Sequence, residues 1–163
     1  MKIQTRRLIA NTLRRTPWAM KAAYTLWRIL QAKYTIGVVA VILDQQERVL
    51  LVEHVFHPKQ PWGLPGGWID RREAPEHAVT RELKEELALD ATTLSILLME
   101  FNYGNHLDVA ILCEANSEIG TLSDELLDYG WFHLDSLPPI RQFHRRAIQK
   151  ALTLRQSSYD NNT

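Results

Sequence analysis

The chain has 163 residues, of which 45% are hydrophobic and 23% are charged. This composition supports one sizeable hydrophobic core and excludes a disordered or collagen-like chain. The single cysteine, Cys113, excludes an internal disulfide, and arginines interrupt the N-terminal apolar stretches, so we expect neither a secretory signal nor a transmembrane helix. The sequence therefore predicts a protein of a reducing, cytoplasmic compartment.

The formal net charge is zero, but the charges are unevenly distributed along the chain. Residues 1–34, here called the arm, contain eight lysines and arginines and no acidic residue. The remainder contains 11 basic and 19 acidic residues, a net charge of −8. A basic arm favours an anionic partner, and an acidic body can hold cations. Attraction between the two segments is the alternative.

The arm is predicted to form two amphipathic helical pieces separated by Pro17, a residue that suits a first helical turn. In the second piece apolar residues recur at helical spacing, while Lys21, Thr25 and Arg28 form a narrower polar stripe. Such a helix can pack on its own body, form a homodimer, or lie peripherally on an anionic membrane surface. A cleaved targeting segment is a further alternative.

From Thr35 the pattern changes to strands, because TIGVVAVILD is β-branched and nearly continuous. A turn-like DQQE leads to the second strand, RVLLVEHV, so we expect a hairpin. The following HPKQPWGLPGGWID is rich in proline and glycine and predicts a loop with a short strand. Pro75 then suits the first turn of a helix that carries Val79, Leu83 and Leu87 on one stripe.

The C-terminal half predicts three more strands and a final helix. TLSILLMEFNY and LDVAILCEA are joined by a Tyr-Gly-Asn turn, and YGWFHL follows. Two prolines favour the start of a helix over RQFHRRAIQKALTL, beyond which the polar end is expected to fray. The predicted organisation is an arm over residues 1–34, a domain over 35–154 and a flexible tail over 155–163.

Three carboxylates are concentrated in the central helix. Glu82, Glu85 and Glu86 stand at positions i, i+3 and i+4, which places them on one helical face within one turn. Left unpaired, each like-charged pair costs about 0.2–0.5 kcal/mol. A solvated face tolerates that cost, whereas a divalent cation relieves it, and carboxylate oxygens suit Mg²⁺ or Mn²⁺. Both uses of the cluster stay open at this point.

The residues around this helix favour a ligand site. Glu73 precedes the helix and Arg81 lies within it, so a carboxylate–guanidinium pair can clamp the preceding loop to the helix. An ordinary surface ion pair is the alternative. Gly66 and Gly67 allow the backbone to approach a ligand closely, because no side chain stands in the way.

Residues 67–89 as a whole resemble the Nudix box, the pattern G-x5-E-x7-R-E-U-x-E-E-x-G-U in which U is a bulky apolar residue. The positions of the pattern are occupied, in chain order, by Gly67, Glu73, Arg81, Glu82, Leu83, Glu85, Glu86, Leu87, Ala88 and Leu89. Ala88 is the one departure, since the pattern has glycine there. If that position requires a positive φ, alanine costs about 1 kcal/mol. A looser resemblance extends over residues 34–154.

The resemblance implies an α/β fold, a Nudix-like α/β/α sandwich with a mixed sheet, to which the arm is an N-terminal amphipathic helical extension. It also implies hydrolysis, with Mg²⁺ or Mn²⁺ as cofactor, of a pyrophosphate bond in a nucleoside diphosphate linked to another group, or in a nucleoside triphosphate. The expected partner is a small nucleotide and not DNA. The alternatives are a catalytically silent Nudix-fold binding or regulatory module and an RNA 5′-end pyrophosphohydrolase.

By motif position, the resemblance assigns the metal to Glu82, Glu85, Glu86 and the backbone of Gly67. Glu73 and Arg81 become the structural pair that orients the helix. The general base is less narrowly defined, because the family uses either a box glutamate or a carboxylate of a later loop. The candidate catalytic residues are therefore Glu86, Glu82 and Glu125, with Asp124 and Asp128 beside the last.

Substrate-binding residues are the least defined by the sequence. Trp62 and Trp68 flank the two glycines of the loop, and Tyr103 lies in the turn between two predicted strands. Each aromatic ring can stack on a nucleobase, and each can equally serve packing. We therefore predict a base-binding surface from these three residues with core packing as the alternative.

Overall fold

The computed structural model describes Arg7 and residues 17–160. The first helical piece predicted for the arm therefore lies outside the described residues, apart from Arg7. The chain divides into two compact units, Met1–Lys33 and Tyr34–Thr163. This division falls one residue before the predicted boundary between the arm and the domain.

The second arm piece forms helix α1, Pro17–Leu30, which begins at the proline expected in a first turn. The N–H of Gln31 donates to the carbonyl of Trp27 at 3.0 Å. The large apolar side chains of α1 are exposed, namely Trp18, Met20, Tyr24, Leu26, Trp27, Ile29 and Leu30. Among the helices that the structure describes, none has both the length and the apolar character that crossing a bilayer requires.

Seven strands, two further α-helices and one short 3₁₀ helix, Leu134–Ser136, are described in the second unit. The strands are β1 Thr35–Ile42, β2 Val49–His54, β3 Trp62–Gly63, β4 Gly66–Trp68, β5 Ala91–Tyr103, β6 His106–Ala115 and β7 Leu126–Phe132. The α-helices are α2 Pro75–Leu87 and α3 Gln142–Asp160. One sheet is mixed, with order β4-β1-β6-β5 and a parallel β1–β6 pair, and the other is antiparallel, with order β3-β2-β7.

The predicted hairpin between the first two strands exists only at its turn. The Asp44 carboxylate accepts the backbone N–H of Gln46 at 2.9 Å and that of Arg48 at 2.8 Å, and Leu43 bridges Val49. Beyond this bridge β1 pairs with β4 and β6, whereas β2 pairs with β3 and β7. The hairpin prediction was therefore wrong, because the apolar pattern identifies a strand but does not specify its neighbours.

The strands lie between α2 and α3 because successive side chains of a strand point to opposite faces. Val38 and Ile42 of β1 belong to the same buried cluster as Leu83 of α2. Val41, on the other face of β1, belongs to the cluster that includes Ile148 of α3. Burial on both faces explains the nearly continuous apolar sequence of β1. This arrangement confirms the predicted α/β/α sandwich with a mixed sheet.

Helix α3 continues to Asp160, beyond the predicted end near Leu154. Phe143, Ala147 and Ala151 are buried at intervals of four, so one stripe of the helix packs on the core. Arg155 also donates from its guanidinium to the carbonyl oxygen of Asp44. This contact holds the helix against the turn after β1, past the point where the apolar pattern ends.

The C-terminal end of α2 explains the departure from the box pattern. Ala88 lies in the left-handed region, with φ 48° and ψ 32°, and its N–H donates to the carbonyl of Lys84 at 3.1 Å. The N–H of Leu89 donates to the carbonyl of Leu83 at 3.2 Å, so a left-handed cap closes the helix. Ala88 therefore carries the strain that a glycine would avoid.

His144 joins α3 to the segment that connects β3 and β4. Its side chain is 8% exposed, and its Nδ1 accepts the N–H of Leu64 at 3.2 Å. Burial, together with the nearby Arg141 guanidinium, lowers the pKa of His144 to about 4. His144 is therefore a neutral donor and acceptor at physiological pH.

We predict that Ala88→Gly stabilises the fold by about 1 kcal/mol, because glycine adopts the left-handed conformation without a Cβ penalty. Urea denaturation measures the gain. The matched control is Ala74→Gly at the other end of α2, where φ is −83° and no strain is relieved. Equal or lower stability of Ala88→Gly relative to the parent would contradict the assignment of strain.

We predict that His144→Gln flattens the pH dependence of stability between pH 6.5 and pH 4. An unfolded histidine binds a proton in that window and folded His144 does not, so the free energy of unfolding falls as pH falls. Removing one such group reduces the slope by about 1.4 kcal/mol per pH unit. Urea denaturation from pH 4.5 to 7.5 tests this, and an unchanged slope would be inconsistent with it.

Candidate active site

The loop before α2 runs close against β1 and needs its two glycines for that approach. β4 pairs antiparallel with β1, with Gly67 opposite Val38. Gly66 has φ 146°, and a Cβ there would collide with the backbone of Val38. A Cβ on Gly67 would lie 2.5 Å from the carboxyl group of Glu82. The glycine pair therefore allows a box glutamate to lie directly against the backbone of the loop.

Arg81 ties this loop to α2, as the sequence predicted for the Glu73–Arg81 pair. Its Nε donates to Glu73 Oε1 at 2.9 Å and its Nη2 donates to Glu73 Oε2 at 3.0 Å. Nη2 also donates to the carbonyl of Trp68 at 3.0 Å. The hydrogen bonds from Arg81, together with one from the N–H of Asp70, lower the pKa of Glu73 to about 2. The pair is ionised throughout the physiological pH range.

The same guanidinium contacts two of the three box glutamates. Arg81 Nη1 donates to Glu82 Oε1 at 2.9 Å and to Glu85 Oε2 at 3.1 Å. The third carboxylate, that of Glu86, accepts the N–H of Gly66 at 2.9 Å. The three groups differ in exposure, since Glu86 is buried, Glu82 is half-buried and Glu85 is exposed. The face predicted from the i, i+3, i+4 spacing therefore spans the boundary between protein and solvent.

The carboxylates are short of positive charge. Burial, together with the negative charges of Glu82, Glu125 and Glu85, raises the pKa of Glu86 to about 8, although the N–H of Gly66 opposes this effect. Burial also raises the pKa of Glu82, although Arg81 opposes this effect. A single guanidinium thus faces several acidic groups, and an additional cation would favour their ionised forms.

Glu125, the candidate from the later loop, lies at this cluster. Its charge raises the pKa of both Glu82 and Glu86, and its carbonyl accepts the N–H of Val55 at 2.9 Å. Its neighbour Asp128 is occupied differently, because its Oδ1 accepts the N–H of Tyr129 at 2.8 Å. Asp128 lies within β7, not in the loop where the sequence placed it, and of Asp124, Glu125 and Asp128 only Glu125 has a charge that raises the pKa of the box glutamates.

The donor set fits a hard divalent cation such as Mg²⁺ or Mn²⁺. Every side-chain donor is a carboxylate oxygen, and one of them, on Glu86, is kept from ionising by its surroundings. Within residues 17–160, no three histidine, cysteine or acidic side chains are already arranged to hold a metal ion, and Arg81 binds Glu82 and Glu85. A cation at this face would therefore share Glu82 and Glu85 with the guanidinium.

An open cleft of about 170 Å³ lies beside the glycine pair, and the three predicted base-binding residues line it. Trp68 and Tyr103 are 58% and 60% exposed, and their rings flank His106 with centroid distances of 4.8 and 5.0 Å. Trp62 differs, because its ring packs edge-on against Phe132 at 5.1 Å. Two of the three aromatic residues thus offer free surface to a ligand, and the third also serves packing.

A polar network behind these rings was not identified from the sequence. His106 Nδ1 is 2.9 Å from Thr35 Oγ1, and its Nε2 is 2.9 Å from Asp108 Oδ1. Asn102 donates to the other oxygen of Asp108. The signal was available, because His106 and Asp108 are polar residues two apart at the start of a strand that continues with the apolar run VAILC. The network fixes the ring that Trp68 and Tyr103 contact.

The far end of the cleft is lined by residues that the sequence did not assign to a site. His54, His57, Arg141 and His144 come from the end of β2, the loop after it and the beginning of α3. The rings of His54 and His57 meet edge to face at 5.0 Å. His54 and His57 are far from Arg141 and His144 in the sequence, so the sequence alone did not show that all four line one cleft.

Comparison with solved structures identifies the fold. An ADP-ribose pyrophosphatase from Streptococcus suis is 30% identical, with a TM-score of 0.63 over 77% of this chain and 92% of that one. A MutT NUDIX hydrolase from Burkholderia pseudomallei is 32% identical, with a TM-score of 0.57 over 73% of this chain and 98% of that one.

Comparison of sequences gives a consistent result. The NAD-capped RNA hydrolase NudC of Salmonella paratyphi C is 28% identical over 151 residues, which are 90% of this chain and 58% of that protein. The chain thus spans little more than half the length of the curated relatives it matches. The family model for the NUDIX domain matches residues 33–151. The chain belongs to the Nudix hydrolase family.

Proposed function

We propose that the chain hydrolyses a pyrophosphate bond in a nucleoside diphosphate linked to another group, with Mg²⁺ or Mn²⁺ as cofactor. The observation that carries the proposal is the buried Glu86, whose pKa of about 8 reflects burial and the nearby charges of Glu82 and Glu125. A carboxyl group so placed is costly for folding and useful for binding a cation. The adjoining cleft is open to solvent and is lined by Trp68 and Tyr103, two aromatic rings with exposed surface.

The cation would be held by Glu82, Glu85, Glu86 and the backbone carbonyl of Gly67. When bound, a divalent cation neutralises phosphate oxygens and lowers the pKa of an attacking water. Other residues of the chain hold these carboxyl groups in place. Gly66 fixes the carboxyl group of Glu86 through its N–H, and Arg81 restrains Glu82 and Glu85.

We assign the proton transfer from the attacking water to Glu125, ahead of the other two catalytic candidates. The carboxyl groups of Glu82 and Glu86 already accept hydrogen bonds from Arg81 and Gly66. Glu125 is exposed and close enough to affect the pKa of both. It is thus accessible to water beside the cluster, as a general base must be.

The aromatic rings at the mouth of the cleft support a nucleoside as one half of the substrate. The exposed faces of Trp68 and Tyr103 suit stacking on a base, which contributes about 1–3 kcal/mol. The NudC relatives are named for NAD-capped RNA and the Streptococcus suis protein for ADP-ribose. NAD and ADP-ribose each contain an adenosine joined through a pyrophosphate to a second group. We therefore propose compounds of this class as substrates of the chain.

A panel of such nucleotides tests the activity directly. NDP-sugars, ADP-ribose, NAD, nucleoside triphosphates and a short NAD-capped RNA are incubated with Mg²⁺ or Mn²⁺, and products are identified by mass. We expect cleavage between the two phosphorus atoms. Cleavage confined to the capped RNA would favour RNA-end processing. Binding of a nucleotide with no product from any compound would instead support a silent Nudix-fold module.

We predict that Glu86→Gln lowers kcat by about 100-fold or more without lowering stability, because it removes a metal-facing carboxylate that its neighbours repel. The control is Glu76→Gln, an exposed residue in the first turn of α2. Glu125→Gln should also lower kcat but leave Mn²⁺ affinity near that of the parent, since its assigned task is proton transfer. Parental kcat for Glu86→Gln at saturating Mg²⁺ would refute the metal assignment.

We further propose that α1 binds an anionic membrane surface. The arm carries eight cations and no anion, and α1 exposes Trp18, Tyr24 and Trp27. The 14 residues of α1 extend about 21 Å, which is short of the hydrocarbon core, so the helix would lie in the interface. Two copies of so basic a segment repel each other, which favours anionic lipid over a homodimer.

Removing residues 1–33 should abolish pelleting with vesicles that contain phosphatidylserine, and salt should weaken pelleting of the parent. Vesicles of phosphatidylcholine alone are the control. Light scattering tests the alternative, because loss of a homodimer would halve the mass. Hydrolysis should survive, since the box lies outside the deletion. A truncated chain that pellets like the parent would overturn the proposal.

A further inference from the structure

The cleft has a second polar end that the proposed hydrolysis does not use. Four side chains line it, namely His54, His57, Arg141 and His144, and we call this group the histidine–arginine end. Gly63 makes room for it, because a Cβ there would lie 3.1 Å from the ring of His144 and 3.5 Å from Nε2 of His54.

His144 provides a hydrogen-bond donor that lacks an acceptor. Its Nδ1 accepts the N–H of Leu64, so the neutral imidazole carries its hydrogen on Nε2. Within the described residues, Nε2 has no hydrogen-bond partner, although His144 is 8% exposed. No fully enclosed polar side-chain atom in that part of the chain is unpartnered, so solvent reaches Nε2, and His144 lines the cleft. A buried ring with one free donor is suited to a ligand acceptor.

Positive charge accompanies this donor. Arg141 lies near enough to His54 and His144 to lower the pKa of each, after the effect of burial. No carboxylate within residues 17–160 forms an ion pair with Arg141. The nearby Asp108 is already satisfied, since its two oxygens contact His106 and Asn102.

The N-terminus of α3 adds to the positive electrostatic potential around Arg141. Arg141 immediately precedes this 19-residue helix, whose N-terminus carries a partial positive charge. The free Nε2–H, an unpaired guanidinium and a helix N-terminus thus converge on one end of the cleft. Several N–H donors arranged around one point suit the oxygens of a tetrahedral oxyanion.

We propose that the histidine–arginine end binds a phosphoryl group that the substrate carries in addition to the pyrophosphate. Its oxygens accept hydrogen bonds from His144 Nε2 and from the Arg141 guanidinium. Gly63, beside His144, and Gly67, beside Glu82, are four residues apart, so no more than about 14 Å separates their Cα atoms. One nucleotide is long enough to span the distance between the box glutamates and the histidine–arginine end. The identity of the ligand as part of a substrate rests on the proposed function.

Binding of simple phosphates tests the site without any turnover. The full chain is titrated with inorganic phosphate at constant ionic strength and without divalent cations, and histidine ring and backbone amide signals are followed by NMR. We expect the signals of His144 and Leu64 to shift. Arg141→Gln should weaken binding at least tenfold, and Arg141→Lys should restore part of it. The matched control is Arg145→Gln, an exposed arginine one turn further along α3.

Two esters distinguish the sources of the phosphoryl group. Tighter binding of methyl phosphate than dimethyl phosphate indicates a terminal phosphate of a small nucleotide, and the reverse order indicates the backbone of an RNA. Equal loss of affinity in Arg141→Gln and Arg145→Gln would overturn the proposal, as would shifts confined to Gly66 and Gly67. These titrations require no hydrolysis, so a failure to bind phosphate at this end would not contradict the proposed activity. Likewise, a failure to detect hydrolysis would not contradict phosphate binding here.

Discussion

The contacts of Arg81 are the interaction on which the site depends. One guanidinium joins the loop, through Glu73 and the carbonyl of Trp68, to the helix, through Glu82 and Glu85. The fork geometry of arginine makes this possible, because its five donors point in fixed directions within one plane. A lysine at this position would provide the charge without holding the loop and the carboxylates at once.

This arrangement leaves the acidic cluster incompletely neutralised. Arg81 donates two hydrogen bonds to Glu73. Its single positive charge is therefore divided among three carboxylates, those of Glu73, Glu82 and Glu85. Among residues 17–160, the one hydrogen bond that the Glu86 carboxyl group accepts comes from the N–H of Gly66. The fold thus maintains a buried carboxyl group with a pKa of about 8, a condition that a well-packed apolar residue would remove. Retaining such a group is more easily explained by cation binding than by stability.

Local features of the fold followed from the sequence, whereas the pairing of distant segments did not. The spacing of the box placed Arg81 and three glutamates on one helix face, and the strain at Ala88 was expected from its departure from the pattern. The hairpin was wrong because a turn closed by Asp44 does not keep β1 and β2 in one sheet. The His106–Asp108 network was missed for a related reason, since its partners Thr35 and Asn102 come from other strands.

Gly63 and Gly67 place one short segment against two side chains of different character, His144 and Glu82. Each glycine lies where a Cβ would strike a side chain from a helix, His144 of α3 at the first and Glu82 of α2 at the second. The same segment thereby lies against an acidic residue from one side of the sandwich and a histidine from the other, and both glycines line the cleft. A phosphate-bearing ligand that bridges a cation held by acids and a set of donors satisfies both at once. The closeness of acidic and donor groups along residues 63–67 thus follows from packing two helices on opposite faces of the strands.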